Sequence, residues 1–308
     1  MRESRAIERV RRIAASPAAL GLKDDVALLD GLVLTHDSIA EGVHFLASDP
    51  PASVGWKLVA VNLSDLAGKG AAPAAALLSL ALSGDDEWDL HFIDGVEAAC
   101  ESYGLPLVGG DTIALPPGAT KVFGLTAIGR AGERVPLRSG GRAGDALWLV
   151  GTVGDAAAGL EQLRDDAKAT GALVDVYRRP VPQLAAGEAL AAHAHAMMDV
   201  SDGLLLDASR LAEASGASAV IELDSLPLSD AFRRERGNGR DARLFAATGG
   251  DDYALLAALA PEADPLRLPL PSGTTIARIG TLAADGPLLS LVSGGSPVPL
   301  PKRLGFEH

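Results

Sequence analysis

Apolar positions along this chain fall into short continuous runs and longer stretches of period near 3.6, and the two kinds take turns from one end to the other. Ile7, Val10 and Ile13 mark a short amphipathic helix. Leu32 to Leu34 predicts a strand that delivers Thr35, His36 and Asp37 at its carboxyl end. A helix is expected from about Ala52, with Val54, Leu58 and Val61 as its buried stripe and Asn62, Asp65 and Lys69 as a separate polar stripe. Gly68 and Gly70 stop it. A second helix runs from about Asp86 to Tyr103, where Gly104 supplies a C-terminal signal.

Leu105 to Val108 reads as a strand ending in Gly109, Gly110, Asp111 and Thr112, followed by a strand over Lys121 to Gly129. The Gly- and Arg-rich stretch Arg134 to Gly144 marks a boundary, giving domains 1–135 and 136–308. Beyond it the alternation continues. Strands are expected at Ala146 to Val150, Met197 to Val200, Val220 to Leu223, Thr275 to Ile279 and Leu288 to Val292. Helices are expected from Asp155, over Leu184 to His193, and after Ser201-Asp202-Gly203 as far as Gly216, with Arg233 to Arg243 a charged surface loop. Strands and helices alternating throughout predict an α/β fold.

Composition narrows the function. The 308 residues carry 27 basic and 40 acidic side chains, a formal net charge of −13, which argues against a nucleic-acid partner. Aromatics at 4% leave no row on which bases could stack. The longest apolar stretch, Ala71 to Leu82, is too short for a bilayer and contains Pro73, so no membrane span is expected. The arginines of residues 1–16 are interrupted by Glu3 and Glu8 and no apolar region follows, so no targeting signal is expected. A single cysteine, Cys100, rules out a disulfide framework and suits a reducing, cytoplasmic setting.

The chemistry lies in the aspartates. Asp24, Asp25, Asp37, Asp65, Asp111, Asp199, Asp202, Asp251 and Asp252 fall at strand ends, in turns or on one helix stripe, and few have a basic neighbour in sequence. Converging carboxylates without counter-charge repel one another unless a hard, oxygen-liganded cation sits among them. Mg²⁺ fits best, and because it bridges carboxylates to phosphates, a nucleotide is the expected ligand. Any one of these residues also reads as a cap or turn former, Asp155 and Asp202 included. Glycine pairs before Asp111 and Asp251 set those two turns apart, since they allow close approach to a bulky anion. There is no P-loop, dinucleotide fingerprint or serine-hydrolase motif, and Cys100 has no histidine beside it, so no covalent nucleophile is expected. His193 and His195 read as surface residues, whereas His44 follows Asp37 closely.

Together these motifs resemble the thiamine-monophosphate kinase family, of the aminoimidazole ribonucleotide synthetase-like superfamily. The carriers are Asp24-Asp25, Thr35-His36-Asp37, Glu41 to Phe45, Gly55-Trp56-Lys57, Val61 to Ala67, Gly109 to Thr112, Arg138-Ser139-Gly140, Asp199 to Leu204 and Gly249 to Tyr253, in order over nearly the whole chain. The resemblance implies a two-domain fold of mixed sheets flanked by helices, with an N-terminal ATP/Mg-binding and dimerisation domain and a C-terminal domain completing the site. It implies Mg²⁺ ligands at Asp25, Thr35, His36, Asp37, Asp65, Asp111, Asp199 and Asp202. ATP contacts are implied at Gly110, Asp111, Arg138 and Ser201, and substrate contacts at His44, Asp251 and Phe306.

The implied reaction is ATP-dependent phosphorylation of thiamine monophosphate by direct transfer, the last step of thiamine diphosphate biosynthesis, in a homodimer. The family usually has threonine at His36, glutamate at Asp251, a Trp or Tyr at Phe306 and an apolar residue at Lys69. His36 is therefore expected to offer its backbone oxygen, and Lys69 to pair with Asp65 or with a phosphate. A non-catalytic nucleotide-binding module, or an ATP-dependent enzyme of the superfamily with another acceptor, are the alternatives.

Overall fold

The apolar runs become two mixed sheets in the computed structural model, which describes residues 3–306. Helix α1 (Glu3–Arg11) leads into strands β1 (Ala27–Leu29) and β2 (Leu32–Ala40), then α2 (Pro51–Gly68), β3 (Ala72–Leu82), α3 (Asp86–Tyr103), β4 (Leu107–Ala114) and β5 (Val122–Arg130). The strands form a five-stranded sheet in the order β1-β2-β5-β3-β4, with β3 and β4 parallel and the other pairs antiparallel. The polar triplet Thr35-His36-Asp37 and the Gly109 to Thr112 motif lie within strands rather than beyond their ends. Backbone pairing across the sheet carries each strand past the last apolar residue, which periodicity alone does not reveal.

The second half begins with β6 (Ala146–Val150), α4 (Asp155–Asp165), α5 (Ala172–Arg178), α6 (Leu184–Ala191), β7 (Ala194–Val200), α7 (Leu204–Ser215) and β8 (Ser218–Glu222). It continues through α8 (Asp230–Arg236), α9 (Arg240–Thr248), β9 (Ala254–Leu259), β10 (Ile276–Ala283), β11 (Leu289–Ser293) and β12 (Ser296–Val298). Its seven strands run in the order β12-β11-β8-β10-β6-β9-β7. The segment expected to be a charged loop, Arg233 to Arg243, instead belongs to α8 and α9, anchored by the fully buried Phe232 and by Ala246 and Ala247. Strand β9, a run of Ala and Leu buried on both faces, carries no alternation and gave no strand signal in the sequence.

Helix α2 explains how the two sheets share a site. From Ser53 to Gly68 every residue except Trp56 is buried, because the helix packs on β2, β5 and α3 from one side and on α6, β7 and β9 from the other. Its polar stripe is thus an internal one: Asn62 and Lys69 have no exposed surface and Asp65 only 7%. Gly68 allows the closest approach, since a Cβ there would lie 2.9 Å from the backbone nitrogen of Asp199.

Candidate active site

Two carboxylates meet where α2 touches the end of β7. Asp65 comes from the helix, Asp199 from the strand, and Asp25 from the turn before β1 completes a group whose ligand oxygens lie within 4.8 Å of one another. Ser64 Oγ donates to Asp199 Oδ2 at 2.8 Å, and Thr35 Oγ1 donates to Asp65 Oδ2. Asp37 stands beside them, its backbone N–H held by Asn62 Oδ1 at 2.9 Å.

Burial, reinforced by the charges of Asp37, Asp199 and Asp25, raises the Asp65 carboxyl well above its ordinary range. Burial and Asp25 push Asp199 to about 8, and burial with Asp25 and Asp202 pushes Asp37 to about 6. For Asp25 burial also acts upward, but Lys69 and Arg138 outweigh it and hold the carboxyl below its usual value. An all-oxygen set of carboxylates with unbalanced negative charge has the chemistry of a hard divalent cation site, and Mg²⁺ fits it.

Cations frame this group. Lys69, 0% exposed, donates to Asp24 Oδ1 at 2.7 Å, Asp25 Oδ2 at 3.2 Å and the Met197 carbonyl at 3.0 Å. Its partners are therefore Asp24 and Asp25, not the Asp65 expected from helical spacing, because α2 ends at Gly68 and Lys69 has already left helical backbone (φ −112°, ψ 1°). Arg138 pairs with Asp25 through both Nε and Nη2. Asp202 pairs with Arg210 at 2.6 Å instead of capping α7, and the N–H groups of Ser201 and Asp202 are taken by Asp207 Oδ2 at 3.1 Å each. Asp155 likewise is no cap: the N-terminus of α4 is held by Asp252, which accepts from Gly154 N at 2.6 Å and Ala156 N at 3.2 Å.

The other wall belongs to His44, Asp251 and Phe306. His44 Nδ1 accepts from Ala40 N–H at 3.1 Å, fixing the turn after β2. Asp251 and Tyr253 have φ of 68° and 50°, left-handed backbone that costs a side-chain-bearing residue about 1–3 kcal/mol. The turn is locked by hydrogen bonds from Asp251 N to Ser201 O (2.7 Å) and from Tyr253 N to Val200 O (2.9 Å). The tail closes over it: Phe306 N donates to Asp202 O at 2.8 Å, an approach that Gly305 permits because a Cβ there would lie 2.4 Å from the same oxygen.

These groups surround one cavity of about 1270 Å³, whose walls include Asp37, His44, Arg138, Ser201, Asp202, Asp251 and Phe306. Asp25, Asp65 and Asp199 are not themselves lining residues; Arg138 on the wall connects to them through its pair with Asp25. Three expected residues are not brought together with them. Register runs Asp37–Leu125–Leu78–Gly110 across the sheet, with Ser38–Gly124–Ser79–Asp111 as the next row. Side chains alternate between faces, so Asp111 shares the face of Ser38 and His36, opposite to that of Thr35, Asp37 and α2.

The His36 ring accordingly meets Thr126 Oγ1 at 2.8 Å on that outer face, away from the carboxylates. Gly110 and Asp111 lie on the exposed edge strand β4, three strands and roughly 14 Å from β2. Of the histidines expected at the surface, His193 is exposed, but the half-buried His195 pairs with Asp145 at 2.9 Å. Among residues with no expected role, Lys57, Tyr253 and Arg210 hold the site's carboxylates. Their signal in the sequence is slight: Lys57 and Asp251 are 194 residues apart, Arg210 and Asp202 eight, and Tyr253 reaches Asp251, two residues before it, only because both sit at positive φ in one turn.

Comparison with known proteins follows the same outline. Residues 23–131 match the N-terminal domain of AIR synthase related protein and residues 142–287 its C-terminal domain. Thiamine-monophosphate kinase of Salmonella typhimurium is 37% identical over 303 residues, covering 94% of this chain and 91% of that protein. Thiamine-monophosphate kinase of Aquifex aeolicus is 38% identical over 232 residues, 73% of this chain and 74% of that protein.

Among solved structures, AaThiL complexed with AMPPCP and TMP superposes with a TM-score of 0.85 at 31% identity, over 100% of this chain and 97% of that one. The Stenotrophomonas maltophilia thiamine-monophosphate kinase gives 0.73 at 36% identity, over 94% of this chain and 95% of that one. The hydrogenase maturation protein HypE, at 21% identity and a TM-score of 0.70, shares the fold. On sequence, on domain composition and on structure, this chain belongs to the thiamine-monophosphate kinase family.

Proposed function

We propose that this chain transfers the γ-phosphoryl group of ATP to the phosphate of thiamine monophosphate, giving ADP and thiamine diphosphate, the closing step of thiamine diphosphate biosynthesis. The observation that carries this reading is a single cavity with Asp37, Arg138 and Ser201 together with His44, Asp251 and Phe306 on its walls, in a chain that overlays a relative bound to AMPPCP and TMP. The acceptor phosphate is already anionic near neutral pH, so its oxygen attacks without a general base. The obstacle is repulsion between two polyanions. Mg²⁺ held by Asp25, Asp65 and Asp199, with Asp37 and Asp202 beside them, would supply charge neutralisation and alignment for in-line transfer.

The chain's own residues do the rest. Arg11, Lys23, Arg138, Arg164 and Arg210 line the cavity together with Asp24, Asp37, Asp202, Glu213 and Asp251, so its walls offer guanidinium and ammonium donors to phosphate oxygens and carboxylates to cations. Arg138 and Ser201 hold the nucleotide, and His44, Asp251 and Phe306 orient the acceptor. Thr35 keeps Asp65 in place, and His36 contributes its backbone oxygen. Residues 1–135 supply most of the acidic floor and 136–308 complete the nucleotide and acceptor walls, in a cytoplasmic enzyme.

A homodimer belongs to the same reading. The edge strand β4 leaves Leu107, Val108 and Ile113 exposed at 47%, 62% and 54%, and an apolar unpaired edge is a surface for a second copy. Gly110 and Asp111 lie on that edge, so we assign them to the nucleotide and metal site of the assembled dimer.

The test is ADP formation from Mg·ATP with thiamine monophosphate, with thiamine, and with no acceptor. Turnover with the monophosphate alone, lost in Asp65→Asn, is the expected result. Phosphate release without acceptor would indicate a hydrolase, and ATP binding without turnover a nucleotide-binding module. Radiolabelled ATP mixed with the protein alone should leave no covalent phosphate, whereas a phosphoenzyme would overturn direct transfer.

A further inference from the structure

Lys57 has no place in the reaction described above, yet its surroundings are built to a purpose. It projects from the buried helix α2, is 2% exposed, and does not line the cavity. An ammonium so far from water needs acceptors on every side. It has three partners: the His44 carbonyl at 2.8 Å, Asp251 Oδ2 at 2.9 Å, and the face of the Tyr177 ring, 4.1 Å from its centroid. These come from three separate elements, the turn after β2, the turn before β9, and α5. Two of the three, His44 and Asp251, are cavity-wall residues from opposite halves of the chain.

The second oxygen of Asp251 is also taken, since Tyr253 Oη donates to Oδ1 at 3.0 Å. The carboxylate is therefore clamped through both oxygens while its backbone sits at positive φ. Its side chain remains 25% exposed toward the cavity, so a bound molecule meets an acceptor group whose direction is set and whose charge is balanced by Lys57. A short side chain on a strained turn has several rotamers open to it without such a clamp. The same ammonium fixes the distance between the Asp251 turn and the His44 turn.

We propose that Lys57 is a positioning residue for the acceptor: it holds Asp251 and the His44 turn in register and thereby sets the affinity for thiamine monophosphate without touching it. This rests on the functional reading above. Its consequence is a separation of the two substrates, because Lys57 reaches the acceptor wall, and among the described residues no hydrogen bond or ion pair joins it to Asp25, Asp65, Asp199 or Arg138.

The experiment is steady-state kinetics of wild type, Lys57→Met, Asp251→Asn and the double variant, each with its Tm measured. Lys57→Met is expected to raise KM for thiamine monophosphate at least tenfold while KM for ATP stays within twofold. In the double variant the increase should match the larger single effect and not the product of the two, since both changes break one pair. Equal rises in both KM values, or multiplicative effects in the double variant, would overturn the proposal and leave Lys57 a purely structural cation. If Lys57→Met does not fold, Lys57→Gln carries the same test with a shorter donor for the His44 carbonyl. A wild-type chain that does not phosphorylate thiamine monophosphate would overturn the functional reading and the proposal together, which separates that failure from the failure of the proposal alone.

Discussion

Asp65 and Asp199 sit buried, each hydrogen-bonded to a hydroxyl, and among the described residues no salt bridge reaches either. The metal-free protein therefore stores repulsion at its centre. Burial, then Asp25, raises Asp199 to about 8, and burial, then Asp25 and Asp202, raises Asp37 to about 6, from an ordinary 3.8. A carboxyl whose folded value lies above its unfolded one leaves stability intact below the unfolded value and costs stability as pH climbs through the folded value. Without metal, these two groups should lower the Tm as pH rises from about 4 to about 8, Asp37 contributing up to about 6 and Asp199 up to about 8. Mg²⁺ displaces the protons, so its stabilising effect should grow over the same window. Thermal melts with EDTA and with Mg²⁺ at several pH values measure this, and a pH-independent gain would contradict it. Asp199→Asn should raise the metal-free Tm at the upper end of the window while removing most of the Mg²⁺ response.

Helix α2 is the element on which the site depends. It carries Lys57, Asn62, Ser64 and Asp65, and its last turn approaches β7 closely enough that Gly68 admits no side chain. Gly68→Ala would place a methyl group 2.9 Å from the Asp199 nitrogen, in contact with backbone that cannot rotate away. A loss of about 1–3 kcal/mol in chemical denaturation is expected, the usual cost of overpacking. The same shift separates Asp65 from Asp199, so the Mg²⁺-dependent gain in Tm should fall as well. Retention of both would mean that the α2–β7 contact is slack.

At the scale of the whole molecule, the first sheet presents an exposed apolar edge at β4. An edge strand with half-exposed Leu107, Val108 and Ile113 is a liability in a lone chain and an asset in a pair. Val108→Lys should convert the proposed homodimer to monomer, read as a halved mass by light scattering, without changing the far-UV spectrum. A wild-type chain already monomeric at micromolar concentration would remove the dimer from the proposal. Activity lost together with the mass would tie Asp111 to the assembled site.

Alternation of apolar runs determined the α/β class and most of the helices and strands, because burial on one face leaves its period in the sequence, but it missed β3, β9 and α5 and read α8 and α9 as a loop. Aspartates gathered at turns and on one helix stripe raised the expectation of a metal and a phosphate ligand, since uncompensated carboxylates repel one another. The spacing of the motifs, read as a resemblance, pointed to the family. Only the tertiary structure decided which carboxylates meet. Register on the first sheet turned Asp111 and His36 to the face away from Asp65, and a one-residue step along a strand is enough to do so. Only the fold could show that Lys69 reaches Asp24 and Asp25, or that Lys57 and Asp251, 194 residues apart, form one pair. Such partners lie far apart in the chain and leave no period behind; they are chosen by how α2 packs between the two sheets.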